Sequence, residues 1–192
     1  MSSRAAPTII DAVLWRRRDV PGHDCCTLAR AREGFVLSGV AVFLHRRSAC
    51  CLQYRVVCDG QWMTRSATVK GNAGRRLVDV QIRRTKRGWV CNGRLHPELA
   101  DCVDVDLSFT PATNTLPVRR LRLAVGESAE VDAAWLRFPS FTLTRIDQTY
   151  QNLGRGKFAY RAYGGRFRRQ LSMRPCALIE IYPNLWSRER SS

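Results

Sequence analysis

Short runs of β-branched, aromatic and other apolar residues recur along this chain at intervals of roughly 8 to 12 residues, and this spacing limits its fold more than any other feature. In two runs, apolar residues alternate with polar ones: Val78, Val80 and Ile82 in the first, and the run from Val103 to Leu107 in the second. A period of two predicts strands with one buried face and one exposed face. Few stretches have a helical period. We therefore predict an all-β, mainly antiparallel fold with little helix.

The predicted strands share β-rich composition and are bounded by turn residues. They are residues 9–15, 35–45, 52–58, 62–69, 76–85, 89–91, 102–109, 118–125, 129–138, 141–150, 158–163, 167–173 and 176–182. Two dipeptides between strands, Asp59-Gly60 and Asn92-Gly93, favour type I′ hairpin turns because both turn positions need positive φ. The first turn predicts that Val57 lies opposite Trp62.

A longer hairpin is predicted between residues 102–109 and 118–125. If positions whose numbers sum to 226 pair, Val105 faces Leu121 on the buried side. On the exposed side Asp104 then faces Arg122, and Asp106 faces Arg120. Opposite charges would then pair on the exposed side and branched apolar residues on the buried side, a gain of roughly 0.2 to 1 kcal/mol per pair.

The chain is strongly basic but has the composition of a folded protein. Its 192 residues carry a formal charge of +16, yet 45% of them are hydrophobic, which excludes a disordered chain of low hydrophobicity. Only Lys70, Lys86 and Lys157 are lysines among 32 basic residues. We predict one domain over residues 1–192, with possible halves 1–126 and 127–192. The charge permits an anionic partner such as nucleic acid or a lipid head group.

The eight cysteines are expected to be free thiols. The beginning of the chain lacks the long apolar core of a secretory signal, so we expect a cytoplasmic protein, where disulfides are rare. The adjacent pairs Cys25-Cys26 and Cys50-Cys51 lack the spacing of zinc sites, and no metal or cofactor is predicted. No apolar run reaches the roughly 18 residues of a membrane span.

The residues do not indicate catalysis. His23, His45 and His96 are not spaced as metal ligands, and no phosphate-binding loop or nucleophile elbow is present. Asp104 and Asp106 can be imagined as an acid and base pair, but carboxylates at i and i+2 on one strand are more often salt-bridged. We predict a protein that is not an enzyme, and keep an enzyme acting on lipid or sugar derivatives as an alternative.

The C-terminal third offers a second alternative. Between Gln148 and Ile179 the chain has seven basic residues, no acidic residue and several interleaved aromatic residues. Arginines that hold phosphates and aromatic rings that stack on bases are typical of nucleic-acid binding. The same pattern also fits strands with aromatic residues inside and arginines outside. Nucleic-acid binding through residues 148–179 therefore stays the alternative function.

The segment Thr110-Pro-Ala-Thr-Asn-Thr-Leu-Pro117, followed by Val118-Arg-Arg-Leu121, is the most distinctive stretch. Two prolines and four short polar residues make it a rigid connection. This segment resembles the bacterial glycolipid-binding family, and the resemblance extends from about Trp15 to Trp186. The other segments that carry it are 54–59, 62–65, 88–93, 102–107, 138–139, 148–150 and 182–183. That resemblance implies a curved, partly open β-barrel or half-barrel, similar in shape to the lipoprotein localisation factors.

The resemblance also implies a lipid or glycolipid ligand, bound without chemistry in an apolar groove with an arginine-containing rim. The tryptophans either fill the core, which is the default for such residues, or line the apolar wall. Arginines near the rigid loop are expected at the head group, because guanidinium groups match carboxylate, phosphate and sugar oxygens. The candidate ligand-binding residues are Trp62, Trp89 and Trp135 for the wall and Arg65, Asn114, Arg119 and Arg120 for the head group.

Overall fold

The computed structural model describes residues 6–174 and 178–190. It is nearly all β, which confirms the predicted fold class. The strands are β1 (Thr8–Arg17), β2 (Gly22–Ala31), β3 (Gly34–His45), β4 (Ser48–Asp59), β5 (Thr64–Ala73), β6 (Arg76–Thr85), β7 (Gly88–Cys91), β8 (Arg94–His96), β9 (Asp104–Leu107), β10 (Ser128–Arg137), β11 (Thr142–Gly154), β12 (Lys157–Ala162), β13 (Phe167–Met173), β14 (Ile179–Tyr182) and β15 (Trp186–Arg188).

The strands form one sheet in the order β8-β7-β6-β5-β4-β3-β2-β1-β15-β14-β13-β12-β11-β10-β9. Neighbours are antiparallel except β9 and β10, which are parallel. The sequence prediction missed β2, β8 and β15, and part of its strand 176–182 lies outside the described residues. β2 was missed because its run of mixed small and polar residues, including Asp24 and Thr27, does not show a clear apolar alternation.

The sheet is rolled so that its edge strand β9 reaches β5. The backbone N–H of Val105 donates to the Thr64 hydroxyl at 3.3 Å, and the N–H of Leu107 donates to the Thr113 hydroxyl at 3.2 Å. The two threonine hydroxyls thus accept hydrogen bonds from backbone N–H groups of β9. At an open sheet edge, these N–H groups would be free to pair with another chain. Among the described residues, no strand ladder closes the roll, and the Thr64 side chain bridges β5 and β9 instead.

Every second side chain of a strand points into the interior of the roll. On β4 the buried side chains are Cys50, Leu52, Tyr54, Val56 and Cys58, so cysteines serve there as small apolar residues. The predicted alternation of β6 is confirmed. All cysteines in the described part of the chain are free thiols, as predicted; Cys176 lies outside it.

A short helical segment fills the inside of the roll and replaces a predicted strand. A 3-10 helix spans Ala112–Asn114 and an α-helix, α1, spans Thr115–Leu121. Pro117 fits because it lies in the first helical turn, where no backbone N–H is needed. The residues from Ala112 to Val118 are all buried. The rigid connection and its flanking residues therefore form a largely buried plug, residues 108–123.

The predicted hairpin between residues 102–109 and 118–125 is wrong. β9 pairs with β10 instead, with Asp106 beside Trp135, and Leu121 ends a helix. Arg120 does pair with an acid, but with Asp104, at 2.6 Å, because the helix turns it towards that residue. The exposed face expected for Asp104 and Asp106 is absent: Asp104 is fully buried and Asp106 half-buried.

The two predicted turns differ in outcome. Asn92 and Gly93 have φ of 46° and 84° and join Cys91 to Arg94, which confirms the second turn. The prediction for Asp59-Gly60 is wrong, because Trp62, not Gly60, takes positive φ (66°). Asp59 Oδ1 accepts from the N–H groups of Gln61 and Met63 at 3.0 Å each, which closes a longer turn. Val57 consequently lies opposite Ser66.

Candidate functional site

An apolar cleft of about 560 Å³ lies at one end of the roll, between the sheet and the plug. Its volume is within the roughly 300–1,000 Å³ of small-molecule sites. The wall is made by apolar side chains from β2, β3, the β4–β5 turn, α1, β12 and β13: Leu28, Phe35, Trp62, Val118, Phe158 and Met173. Ile10 and Leu123 complete it.

A stacked ring pair forms part of this wall. The rings of Phe35 and Trp62 lie 3.8 Å apart between centroids, with an interplanar angle of 13°. Trp62 reaches this position from the left-handed backbone region, which is strained for a large side chain. Strained residues held by their surroundings cluster at functional sites. The turn at Asp59 holds this one.

Four arginines border the cleft: Arg30, Arg119, Arg122 and Arg174. The guanidinium carbon of Arg30 lies 5.0 Å from the Phe35 ring centroid, and that of Arg119 lies 5.9 Å from the Trp62 ring. These are cation–π distances. Arg174 also pairs with Glu180 at 3.0 Å. The cleft therefore joins an apolar wall to a cationic border, a combination suited to an amphipathic anion.

A second, smaller cavity of about 170 Å³ lies on the other side of the plug. We call it the aromatic box. Its walls are the rings of Trp135, Tyr160, Tyr163, Phe167, Tyr182 and Trp186. The polar side chains that line it come from β9 and the plug: Asp106, Ser108, Thr110 and Asn114.

Asp106 is held in the box by one amide. Gln148 Nε2 donates to its carboxylate at 2.6 Å and lies 3.0 Å from the Tyr160 hydroxyl. Asn114 Nδ2 donates to the Tyr150 hydroxyl at 2.9 Å. Burial raises the pKa of Asp106 to about 6, since the hydrogen bond from Gln148 offsets only part of the desolvation.

A further buried carboxylate, Asp24, lies behind the box. It accepts hydrogen bonds from the Tyr54 hydroxyl at 3.0 Å and from the Thr110 hydroxyl. Burial raises its pKa to about 7, and the two hydroxyl donors lower it by less. Gly39 makes room for Tyr54, because a Cβ there would lie 2.4 Å from the Tyr54 oxygen.

The candidate residues from the sequence fall in three places. Trp62 and Arg119 line the apolar cleft, and Asn114 and Trp135 line the aromatic box. The other three line neither cavity.

Those three have structural contacts instead. Trp89 is fully buried, and its indole N–H donates to the Cys102 carbonyl at 3.0 Å. Arg65 is exposed and lies 3.4 Å from Glu33, while Arg120 binds Asp104.

Sequence reasoning missed Phe35, Arg30, Arg122 and Arg174 in the cleft, because they come from separate elements that meet only in the rolled sheet. It also missed Asp24, for which a signal exists. Asp24 shares the phase of Cys26 and Leu28, so recognition of β2 would have placed it among buried residues.

The basic segment after Gln148 places most of its arginines and most of its aromatic residues on different faces of the sheet. Arg161 and Arg168 are exposed and lie opposite each other on β12 and β13. Tyr150, Phe158 and Tyr160 are buried. Most of the aromatic rings are therefore not available beside the arginines.

Two further properties concern the described residues only. They bring together no group of three His, Cys, Asp or Glu side chains that could hold a metal ion. None of their helices is long and apolar enough to cross a membrane.

Comparison with known proteins places this arrangement in a family. A crystal structure of a DUF1089 family protein from Pseudomonas aeruginosa is similar, with a TM-score of 0.76 and 26% identity over 86% of this chain and 92% of that chain. No curated protein matches the chain. The family model described as "Putative glycolipid-binding" matches residues 12–188. The chain therefore belongs to this family.

Proposed function

We propose that this protein binds a lipid or glycolipid without catalysing a reaction, with the acyl portion in the apolar cleft and an anionic or oxygen-rich head group at the arginine border. The observation that carries the proposal is the cleft itself, in which a stacked Phe35–Trp62 wall meets Arg30 and Arg119. The family description agrees with a lipid ligand.

The energy for binding would come from the acyl chain. Burial of apolar surface contributes about 25 cal/mol per Å², or roughly 0.8 kcal/mol for each methylene group. Leu28, Val118 and Phe158 supply apolar side chains to the wall of the cleft. A chain of several methylene groups would therefore bind more tightly than a head group alone.

The head group would be held by charge and hydrogen bonds. Guanidinium groups bind carboxylates and phosphates through paired donors. Arg30 and Arg119 lie against the two stacked rings. Trp62 and Arg119, both expected from the sequence, are thus the ligand-binding residues that we propose first, with Phe35 and Arg30 beside them.

Native mass spectrometry after gentle lipid extraction, with titration of a fluorescent fatty acid, tests the proposal. Saturable binding that a glycolipid or fatty acid displaces supports it, and no binding of any lipid class contradicts it. Arg30→Gln should weaken binding of an anionic lipid, whereas Arg16→Gln, at an exposed β1 position that does not line the cleft, should not.

Salt dependence separates the alternative function. Binding of nucleic acid through residues 148–179 would weaken steeply as salt rises, because counterions are released from the phosphates. Insertion of an acyl chain would change little with salt. An affinity for oligonucleotides that falls steeply with salt, without lipid binding, would favour the alternative.

A further inference from the structure

The aromatic box differs chemically from the rest of this basic molecule. Its lining includes one carboxylate, Asp106, and no arginine or lysine. Ion pairs among the described residues do not include Asp106. Its hydrogen-bonding partner is the neutral amide of Gln148. A carboxylate has room for several donors, so Asp106 retains acceptor capacity towards the cavity.

The rings stand as walls. Trp135 meets Tyr163 at 68°, Tyr163 meets Phe167 at 89°, and Phe167 meets Tyr182 at 60°, with centroids 5.6 to 6.4 Å apart. Tyr160 meets Phe167 at 75°. Walls at steep angles enclose a compact group on several sides. A sugar ring would instead favour one broad aromatic face that lies parallel to it.

Rings in this arrangement attract cations through the negative charge of their π faces. Two rings of the box already have a guanidinium against them: Arg137 lies 5.0 Å from the Trp135 ring, and Arg169 lies 4.5 Å from the Phe167 ring. Neither arginine is part of the lining. Neither guanidinium group therefore fills the cavity between the rings.

Size sets the kind of group. The box measures about 170 Å³, below the roughly 300 Å³ at which sites for drug-sized ligands begin. A water molecule takes up about 30 Å³ in the liquid, so the box has the space of a few waters. A trimethylammonium or similar alkylated ammonium group fits this space. The rest of a longer ligand would extend out of the box.

We propose that the aromatic box binds an organic ammonium group, with the rings as a cation–π cage and the Asp106 carboxylate as its counter-ion. The inference does not depend on lipid binding in the apolar cleft. The group belongs either to a free quaternary ammonium compound such as choline or to the head group of a choline lipid.

Calorimetric titration of the full chain near neutral pH tests this. Choline should bind saturably, and its neutral carbon analogue, in which a tert-butyl group replaces trimethylammonium, should bind about tenfold more weakly or worse. Equal affinities for the two, no choline binding, or tighter binding of a methyl glycoside than of choline would each overturn the proposal. A short-chain phosphocholine lipid, run in parallel, tells the two sources apart.

Substitutions in the aromatic box test whether choline binds there. Asp106→Asn keeps the shape and removes the charge, so it should weaken choline binding about tenfold or more. Asp79→Asn is the matched control, since Asp79 is exposed on β6 and should leave binding unchanged. Tyr163→Ala removes a partly exposed wall and gives a second test if Asp106→Asn fails to fold. Wild-type affinity in both box variants would overturn the assignment.

Discussion

Trp62 stacks face to face on Phe35 while its own backbone lies at φ 66°, so the ring pair in the apolar cleft is held in place against local strain. The turn that begins at Asp59 fixes this geometry, because the Asp59 carboxylate accepts hydrogen bonds from the backbone N–H groups of Gln61 and Met63. The wall of the cleft is therefore preorganised before any ligand arrives.

The strain at Trp62 predicts an unusual order of stability. Trp62→Ala and Trp62→Gly both remove the stack with Phe35, but only glycine tolerates positive φ freely. We expect Trp62→Gly to be more stable than Trp62→Ala by about 1 kcal/mol. Urea unfolding of the two variants measures the difference, and the opposite order would show that the turn relaxes when the indole is removed.

The buried ion pair between Asp104 and Arg120 should be costly to break from one side. Arg120→Met leaves a fully buried carboxylate without its partner, and we expect a loss of about 3–5 kcal/mol in the free energy of unfolding. The double variant with Asp104→Asn should recover much of this.

The exposed pair of Lys70 and Asp79, at 3.5 Å, is the control for the buried one. Lys70→Met should cost about 1 kcal/mol or less. Equal losses for Arg120→Met and Lys70→Met in chemical denaturation would mean that Asp104 gains no more from its arginine than a surface carboxylate does.

Much of the sheet could be predicted from the sequence because burial alternates along its strands. The run from Arg76 to Thr85 is β6 as predicted. The plug could not be predicted in this way. Leu121, Leu123 and Val125 alternate as in a strand. The pairs Asp104–Arg122 and Asp106–Arg120 also satisfied a false register. The real contact between Asp104 and Arg120 depends on a helix that packs inside the roll.

Asp24 predicts a dependence of stability on pH. Its pKa rises from 3.8 to about 7 on folding, so the folded state keeps a proton that the unfolded state releases between these values. The contribution of Asp24 to stability therefore falls as pH rises from about 4 to about 7. Relative to the wild type, Asp24→Asn should gain about 2–4 kcal/mol across this window.

Urea unfolding of both proteins at about pH 4.5 and at about pH 8 checks the prediction for Asp24, since these two values span most of the window from about 4 to about 7. Other groups titrate equally in the two proteins and cancel in the difference. A stability difference that does not change with pH would mean that the carboxyl is not protonated in the folded state.

The adjacent cysteines should react very differently. Cys25 and Cys51 are exposed, whereas Cys26, Cys50 and Cys58 point into the core. Burial raises the pKa of Cys58 to about 12, which removes its reactive thiolate. Brief alkylation of the native protein, followed by peptide mapping, should modify Cys25 and Cys51 long before the buried three. Equal labelling within the Cys25-Cys26 pair would contradict the register of β2.

The candidate site was only partly predictable for a related reason. A tryptophan and an arginine of the cleft, Trp62 and Arg119, stood out by residue type. Arg30 and Phe35 did not, because nothing in their local sequence separates them from other residues of β2 and β3. They become part of a site only where the rolled sheet brings their side chains to the same end as α1.

The most direct test of lipid binding is to titrate a fluorescent fatty acid into a variant whose cleft is filled by a larger side chain. Ile10 lines the cleft and is 42% exposed, so Ile10→Trp should occupy the space without disturbing the core. Leu14→Trp, on the same strand at 46% exposure and outside the cleft, is the matched control. We predict saturable binding to the wild type and to Leu14→Trp, and at least about tenfold weaker binding to Ile10→Trp. Equal affinity of all three proteins would contradict the assignment of the acyl chain to this cleft.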